Sequence, residues 1–355
     1  MGCRSREDVS AAVRCEWIPP ESEEWLDIVD AVPHDFYHLP AYARLAAGAE
    51  GGTAGAFVID GRRGRLLIPL IRREIGASLF DATSPYGYPS PLWSSPEGTE
   101  LEREALSAFI EGLRRARVVS AFVRLHPLLT TELQWFEEQG EVVCGGETVY
   151  VDLTKTLDEL WRDTRGNHRR SIRHALMSGF VARVDETWAH LIGFQTAYRE
   201  TMKRVAAADY YFFPDQYFTD LRAALGKRLH LFVVEREGRV ASAALFTQSS
   251  GIVQYHLGAT RDEFLSVSPM KLLLHFARTW FKERGCAVMH LGGGVGSSQE
   301  SVFRFKAGFA RTRGRFHSWR VVAEPRAYAE LVERWCRETG REPSGAYFPA
   351  YREPR

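Results

Sequence analysis

The order of strands and helices predicted for the second half of this chain repeats in the first half. Each half reads as a strand, two helices, three strands, a helix, a strand, a helix and a final strand. Alternating apolar residues predict the strands, and apolar residues spaced at i, i+3 and i+4 predict the helices. Such a repeat is typical of two copies of one unit. The sequence therefore predicts an α/β fold with two tandem units packed side by side, each a mixed central sheet flanked by helices.

The 355 residues are enough for two domains. We predict one unit over residues 1–147, a second over residues 148–323, and a helical tail over residues 324–355. No low-complexity linker separates the units, so we expect them to pack tightly against each other. In the second unit an amphipathic pattern predicts one helix over Leu157–Ser178, with Gly179 as its C-terminal cap.

A glycine-rich loop in the second unit carries the strongest functional pattern. It follows a short apolar strand, and its glycines and capping serines are Gly292, Gly293, Gly294, Gly296, Ser297 and Ser298. Glycines let a backbone approach a ligand closely, and a helix N-terminus behind them favours negative charge. The spacing is neither G-x-G-x-x-G nor that of a loop ending in G-K-S/T, so a turn without a ligand is the alternative.

The helix after this loop contains the motif F-K-A-G-F, in which Lys306 lies between Phe305 and Phe309. Lysine is rare here, because only 6 of the 46 Lys and Arg residues are Lys. A compact ammonium acts as a point charge, whereas Arg presents a planar fork. We therefore predict a catalytic role for the Lys306 charge, with a lysine on a solvated helix surface as the alternative.

Composition narrows the function classes. The net charge of +1 excludes a globally basic protein, so any contact with nucleic acid must come from a local patch. The five cysteines are scattered without C-x-x-C spacing, which predicts neither disulfides nor a metal site and favours the reducing cytoplasm. No apolar run approaches the ~20 residues of a membrane span, and the N-terminus has no signal-peptide pattern.

Four arginines give the predicted Leu157–Ser178 helix a basic face. At 100° per residue they fall within an arc of about 80°. They are Arg162, Arg165, Arg169 and Arg173. The pattern predicts contact with the phosphates of an RNA, and a solvated charged face is the alternative.

Aromatic and polar residues form a second group of candidates. Tyrosines, phenylalanines and arginines of this kind stack on rings and bind polar groups of a ligand. The candidates in the second unit are Tyr198, Arg204, Tyr210, Tyr211, Phe212 and Tyr255, and those on a proline-rich turn of the first are Asp81, Tyr86 and Tyr88. His126, His256 and His290 are candidate bases by residue type, although histidines on strands are more often satisfied core residues.

The element order is that of the GNAT acyltransferase fold, and several motifs resemble the Fem family of aminoacyl-tRNA-dependent peptidyl transferases. The motifs are F-K-A-G-F, D-A-T-S-P-Y-G-Y-P over Asp81–Pro89, R-G-N-H-R-R-S-I-R over Arg165–Arg173, and Y-R-E-T-M-K-R followed by Tyr210–Phe212. The resemblance covers nearly the whole chain. That family includes cell-wall enzymes and relatives that add an amino acid to small antibiotic precursors.

The resemblance implies transfer of an aminoacyl group from aminoacyl-tRNA to an amine, with no other cofactor. It places Lys306 and Phe305 near the 3′ end of the RNA, and the acceptor in a groove between the units. The residues implied to bind substrate are Asp81, Tyr86, Tyr88, Arg204, Tyr211, Tyr255 and Phe305. The chain has no coiled-coil insertion of the kind found in cell-wall members, which favours a small-molecule acceptor.

An acyl-CoA-dependent N-acyltransferase is a rival reading of the same fold. GNAT enzymes hold the pyrophosphate of CoA on a loop written Q/R-x-x-G-x-G/A, and the corresponding segment, Arg261–Lys271, has no glycine. The sequence therefore favours aminoacyl-tRNA over CoA as the donor. Two more functions stay open at this point, a peptidoglycan-precursor aminoacyltransferase and a binding module without catalysis.

Overall fold

The computed structural model describes residues 13–61, 64–76, 78–94, 100–129, 132–294 and 301–354. The elements before the junction of the two halves are β1 (Arg14–Ile18), α1 (Glu23–Asp30), α2 (Pro40–Glu50), β2 (Thr53–Asp60), β3 (Arg65–Gly76), β4 (Leu79–Thr83), β5 (Leu92–Trp93), α3 (Glu100–Arg115), β6 (Val118–Leu125) and α4 (Gln134–Glu137). The strand β7 (Glu141–Asp152) leads into the second half.

The second half contains α5 (Leu157–Asp163), α6 (Gly166–Met177), β8 (Val181–Val184), α7 (Leu191–Arg204), α8 (Asp215–Leu225), β9 (Leu229–Arg236), β10 (Arg239–Ser249), β11 (Ile252–Thr260), α9 (Pro269–Glu283), β12 (Val288–Gly292), α10 (Ser301–Lys306), β13 (Arg313–Val322) and α11 (Pro325–Thr339). The predicted caps Ser297 and Ser298 lie outside the described residues, as does Gly296.

The described strands form one continuous 13-stranded sheet. Its order is β1-β2-β3-β4-β6-β13-β7-β12-β11-β10-β9-β8, and β5 pairs with β3 off this path. Within each half one pair of strands is parallel, β4 with β6 and β11 with β12, and a helix connects the two strands of each pair. The predicted α/β fold with two mixed-sheet units is confirmed.

The two units are joined through β13, the last strand of the second. This strand pairs antiparallel with β6 on one side and with β7 on the other. Its Trp319 side chain is buried in the first unit, against Phe109 and Phe136 at ring distances of 5.6 and 5.1 Å. The predicted boundary between residues 147 and 148 falls inside β7, so the division into two separate domains stays a prediction.

One buried apolar cluster contains residues of both units. Trp25, Phe36 and Tyr42 of the first unit belong to the same cluster as Phe194 and Phe218 of the second. Burial of each such ring stabilises the folded state by roughly 1.5–3 kcal/mol. The tight packing expected from the missing linker is therefore present as a shared core.

The prediction of a single helix over Leu157–Ser178 is wrong, because the helix breaks at Thr164 and Arg165 into α5 and α6. Both residues have extended ψ angles, 128° and 146°, and α6 starts afresh at Gly166. The buried Arg278 explains the break, since its Nη1 donates to Thr164 Oγ1 at 2.7 Å and to Leu160 O at 3.1 Å. The four arginines of this segment therefore do not share one helical face.

Candidate functional site

The strands β11 and β12 separate after a short stretch of pairing. They pair only at Ile252 with Val288, Val253 with Met289, and Gln254 with His290. The end of β12 is a glycine turn: Gly292 has a φ of +76°, and a Cβ on Gly293 would lie 2.9 Å from Glu147 O. These glycines let the chain leave the sheet here, and the separation opens a gap between the two strands.

Lys306 of α10 reaches into this gap. Its Nζ donates to Gly293 O at 2.7 Å and lies 6.0 Å from the centre of the Tyr255 ring. The close fit extends to Gly292, where a Cβ would come within 3.2 Å of Nζ. Burial lowers the pKa of Lys306 to about 8. The ammonium is therefore held between the separated strands, in a place where its charge is easily lost.

The rest of F-K-A-G-F fixes the position of Lys306. His168 of α6 donates from Nε2 to Phe305 O at 2.9 Å, and its ring lies 4.9 Å from the Phe309 ring. A Cβ on Gly308 would lie 2.3 Å from His168 Nε2, so this position requires glycine. Phe305 therefore supports the helix end through its backbone and ring. His168 was not among the predicted site residues.

A fully buried polar network lies beside the gap. Asp35 Oδ2 accepts from His126 Nε2 at 3.0 Å and from Gln254 Nε2 at 2.5 Å. Gln254 Oε1 in turn accepts from His290 Nδ1 at 2.7 Å. Burial raises the pKa of Asp35, but the hydrogen bonds from His126 and Gln254 outweigh it and hold the pKa below its usual range.

The network determines the protonation of His290. Because Gln254 offers its carbonyl oxygen, the His290 proton sits on Nδ1, and Nε2 carries a lone pair. This Nε2 is buried and has no partner among the described residues. Burial lowers the pKa of His290 to about 3, so the ring is neutral at physiological pH. Sequence reasoning named His126 and His290 by type but missed Asp35 and Gln254, whose only signal is a polar residue within otherwise apolar segments.

Tyrosines of both units cluster beside the network. The Tyr88 ring lies 5.6 Å from the His290 ring, and the Tyr86 ring lies 5.6 Å from Tyr210 and 6.4 Å from Tyr211. The turn between Tyr86 and Tyr88 needs Gly87, which has a φ of +108°. The structure thus places Tyr86 beside Tyr211 and Tyr88 beside His290, and their role in substrate binding stays a prediction.

Two other predicted residues, Asp81 and Arg204, are engaged elsewhere. Asp81 is fully buried and binds Arg73, at 2.8 Å, and Arg352. Arg204 binds Asp262 and donates to Thr260 O at 3.4 Å. Both side chains are therefore engaged in ion pairs, and their predicted role in substrate binding stays a prediction. Tyr255 borders the gap with its ring, while its hydroxyl donates to Met270 Sδ at 3.6 Å.

A basic pocket of about 470 Å³ lies next to the end of α10. Five arginines line it, namely Arg162, Arg165, Arg169, Arg311 and Arg313. The one carboxylate in its wall, Asp163, is bound by Lys155 at 2.8 Å. Ala307 and Ala310, which follow Lys306 closely in the chain, also line the pocket.

Arg173 does not belong to this pocket. Its guanidinium stacks on Trp161 at 5.3 Å. Three of the four predicted arginines are therefore gathered in the basic pocket, although not on the helical face proposed for them. Arg311 and Arg313 were missed because they join the others only through the fold.

Two kinds of feature are absent from the described ranges. None of the helices there has the length and apolar character needed to cross a membrane. Over the same residues, no group of three or more His, Cys, Asp or Glu side chains could hold a metal ion.

Comparison with known proteins agrees with the fold. Residues 162–307 match the family model described as an acetyltransferase (GNAT) domain. The structure of FemX is similar with a TM-score of 0.67 at 15% identity, covering 89% of this chain and 99% of FemX. A search of curated protein sequences gave no match.

Two further solved structures are similar at a TM-score of 0.55. The C-terminal domain of a putative lysylphosphatidylglycerol synthetase from Agrobacterium fabrum is 16% identical, with 88% of this chain and 95% of that domain covered. The L-PGS from Bacillus licheniformis is 14% identical, with coverage of 85% and 92%. The chain therefore has the acyltransferase fold of the GNAT superfamily, in its tandem form. Its resemblance to the Fem family is confirmed at the level of the fold.

Proposed function

We propose that this protein transfers an aminoacyl group from aminoacyl-tRNA to the amine of a small-molecule or peptide acceptor. The observation that carries the proposal is the position of Lys306, whose ammonium lies between separated strands beside a pocket of five arginines. The ammonium would stabilise negative charge that develops on the carbonyl oxygen of an acyl group, and the arginines would bind the phosphates of an RNA. The resemblance to the Fem family supports the same donor.

In the reaction the amine nitrogen attacks the ester carbonyl carbon of the aminoacyl-tRNA. A C–N bond forms, the C–O bond to the terminal ribose breaks, and a proton of the amine passes to the departing ribose oxygen. Negative charge gathers on the carbonyl oxygen in between. An ammonium has three N–H groups, and Lys306 uses one of them for Gly293 O. The other two have no partner within the described part of the chain, so they can donate to this oxyanion or to the departing oxygen.

The RNA would be held by its phosphates in the basic pocket. Arg165 precedes the N-terminus of α6, and its own backbone N–H donates to Gly308 O at 2.8 Å. This bond ties the pocket to the F-K-A-G-F motif. Phosphates bound there would place the 3′ end of the RNA beside the helix that carries Lys306.

An acyl-CoA-dependent N-acyltransferase is the second candidate, because residues 162–307 match a GNAT acetyltransferase domain. The segment Arg261–Lys271 supports the tRNA donor instead. It forms a 3-10 helix over Asp262–Val267, and its backbone N–H groups at Phe264, Ser268 and Lys271 donate to carbonyl oxygens within the segment. These N–H groups are therefore not available to bind a pyrophosphate.

The test is transfer by the purified protein from a pool of tRNA charged with radiolabelled amino acids. We expect a labelled amide product that disappears after RNase treatment of the pool and with Lys306→Ala. Lys282→Ala is the matched control, because Lys282 also donates to a backbone carbonyl, Leu153 O at 2.9 Å, but lies on α9. Product formed from acetyl-CoA without RNA would replace the proposal by the second candidate.

A further inference from the structure

Arg124 of β6 lies beside Tyr86, and one edge of its guanidinium has no partner among the described residues. Its Nη1 donates to Ser84 O at 3.2 Å and to Ser84 Oγ at 3.4 Å. The guanidinium also stacks on Phe122, with Cζ 4.9 Å from the ring centre. Among the described residues, no carboxylate lies within 4 Å of Arg124, and its Nε and Nη2 have no protein partner. These two nitrogens form the fork that binds a carboxylate or a phosphate with two parallel hydrogen bonds.

The side chains around this fork are tyrosines. The centre of the Tyr86 ring is 6.0 Å from Arg124 Cζ, and Tyr210 packs against Tyr86 at 5.6 Å. Burial raises the pKa of Tyr88 to about 12, and the Arg124 charge opposes that rise. Burial likewise raises the pKa of Tyr210 to about 12, with a further rise from Glu50 and an opposing effect of Arg124. The fork is therefore close to neutral hydroxyls and ring faces.

The carboxylate of Glu50 does not neutralise this site. Glu50 is bound to Arg73 at 3.3 Å, and Arg73 also binds the buried Asp81. The positive charge of Arg124 is thus left for a ligand. Ser84, which is fully buried, holds the guanidinium in place, so little side-chain freedom would be lost on binding.

We propose that Arg124 binds the anionic group, a carboxylate or a phosphate, of an amine acceptor whose body packs against Tyr86 and Tyr210. The proposal rests on the proposed function in that this ligand is the acceptor of the acyl group. Tyr88 connects the two ends of the site, because it lies in the field of Arg124 and contacts the His290 ring beside the gap of Lys306. The acceptor is therefore an amine that carries a carboxylate or a phosphate at its other end. Polyamines and other amines without an anionic group are excluded.

Binding of three probes to the full chain, without RNA, tests the proposal. Each probe has a ring and an aminomethyl group: benzylamine carries no anion, 4-(aminomethyl)benzoate carries a carboxylate, and 4-(aminomethyl)phenylphosphonate carries a phosphonate. By calorimetry we expect at least one anionic probe to bind ten times more tightly than benzylamine, a gap of about 1.4 kcal/mol. The better of the two identifies the anion as carboxylate or phosphate.

Substitutions of Arg124 test whether its Nε and Nη2 cause the preference for anionic probes. We expect Arg124→Met to bind all three probes as weakly as the wild type binds benzylamine, and Arg124→Lys to keep only part of the preference, because an ammonium lacks the fork. The control is Arg315→Met, which removes an exposed arginine of β13 and should leave all affinities unchanged. If thermal unfolding shows that Arg124→Met does not fold, the test is made with Arg124→Lys. The ratio of its affinities for the anionic probe and benzylamine must then be at least threefold smaller than that of the wild type.

Equal affinity of the wild type for all three probes, or a preference that survives these substitutions, overturns the proposal. Because no tRNA takes part, this result is independent of aminoacyl transfer. Transfer without an effect of Arg124 would leave the proposed function in place and reject the anionic acceptor. An Arg124-dependent preference without transfer would support binding of the anionic group and reject the proposed function.

Discussion

Replacing Lys306 by methionine should stabilise the folded protein at pH 7 while abolishing transfer. Burial lowers the pKa of Lys306 from 10.5 to about 8, so the charged form is held in the folded state at a cost. Below pH 8, a pKa difference of this size lowers the free energy of unfolding of the wild type by about 3 kcal/mol. The lost hydrogen bond to Gly293 offsets about 1 kcal/mol of it, which leaves a gain of about 2 kcal/mol.

The gain should depend on pH in a defined direction. Between pH 8 and pH 10.5 the unfolded lysine holds its proton and the folded one does not, so the stability of the wild type rises through this window. Methionine has no such titration. The advantage of Lys306→Met should therefore shrink from about 2 kcal/mol at pH 7 to below about 1 kcal/mol at pH 9.5.

Urea unfolding followed by tryptophan fluorescence, at pH 7 and at pH 9.5, measures the difference. Lys282→Met is the control, since that lysine also donates to a backbone carbonyl. We expect it to lose stability, with no gain at either pH. If Lys306→Met is less stable than the wild type at pH 7, or if its advantage is the same at both pH values, the ammonium is not buried as described and the reasoning is refuted.

Three other predictions follow from the same site. Lys306→Arg should not restore transfer, because a planar fork does not fit between the separated strands, and activity within ~3-fold of the wild type would contradict this. Acetyl-CoA should bind no tighter than a nonspecific polyanion, since Arg261–Lys271 has no glycine and its residues Asp262–Val267 form a 3-10 helix, and a one-to-one micromolar site by calorimetry would show the reverse. The double variant Arg165→Ala, Arg169→Ala should weaken tRNA binding and lower the log–log salt slope by about 0.7–0.9 for each lost phosphate contact. Arg173→Ala, whose guanidinium stacks on Trp161, should leave that slope unchanged, and equal slopes in all variants would mean that the RNA docks elsewhere.

Much of the fold is predictable because its signals are local. Apolar residues at periods of 2 and 3.6 lie within the elements themselves, as in the strand Leu229–Arg236 and the helix Glu23–Asp30, and they predict the repeated order of strands and helices. The break at Thr164 has only a weak local signal, the Gly166–Asn167 pair that follows it. It depends on Arg278, 114 residues away, whose guanidinium binds the threonine hydroxyl.

The candidate site is predictable only where a motif carries it. Lys306, Tyr86 and Tyr88 belong to recognisable segments, and the structure places Lys306 beside Tyr255 and Tyr88 beside His290. Asp81 belongs to one of the same motifs, yet its carboxylate is bound by Arg352, 271 residues further along the chain. A sequence pattern identifies such a carboxylate without showing which cation it meets.

The polar network lies at the junction of the two units, and neither unit could form it alone. Asp35 and His126 come from the first unit, and Gln254 and His290 come from the second. Only when both are folded together does the Asp35 carboxylate orient Gln254, and only then does Gln254 fix the proton on His290 Nδ1. The burial that keeps His290 neutral also lowers the pKa of Lys306, because the same packing removes water from both. An imidazole nitrogen without a partner among the described residues and an easily deprotonated ammonium thus arise together, at the junction of the two units.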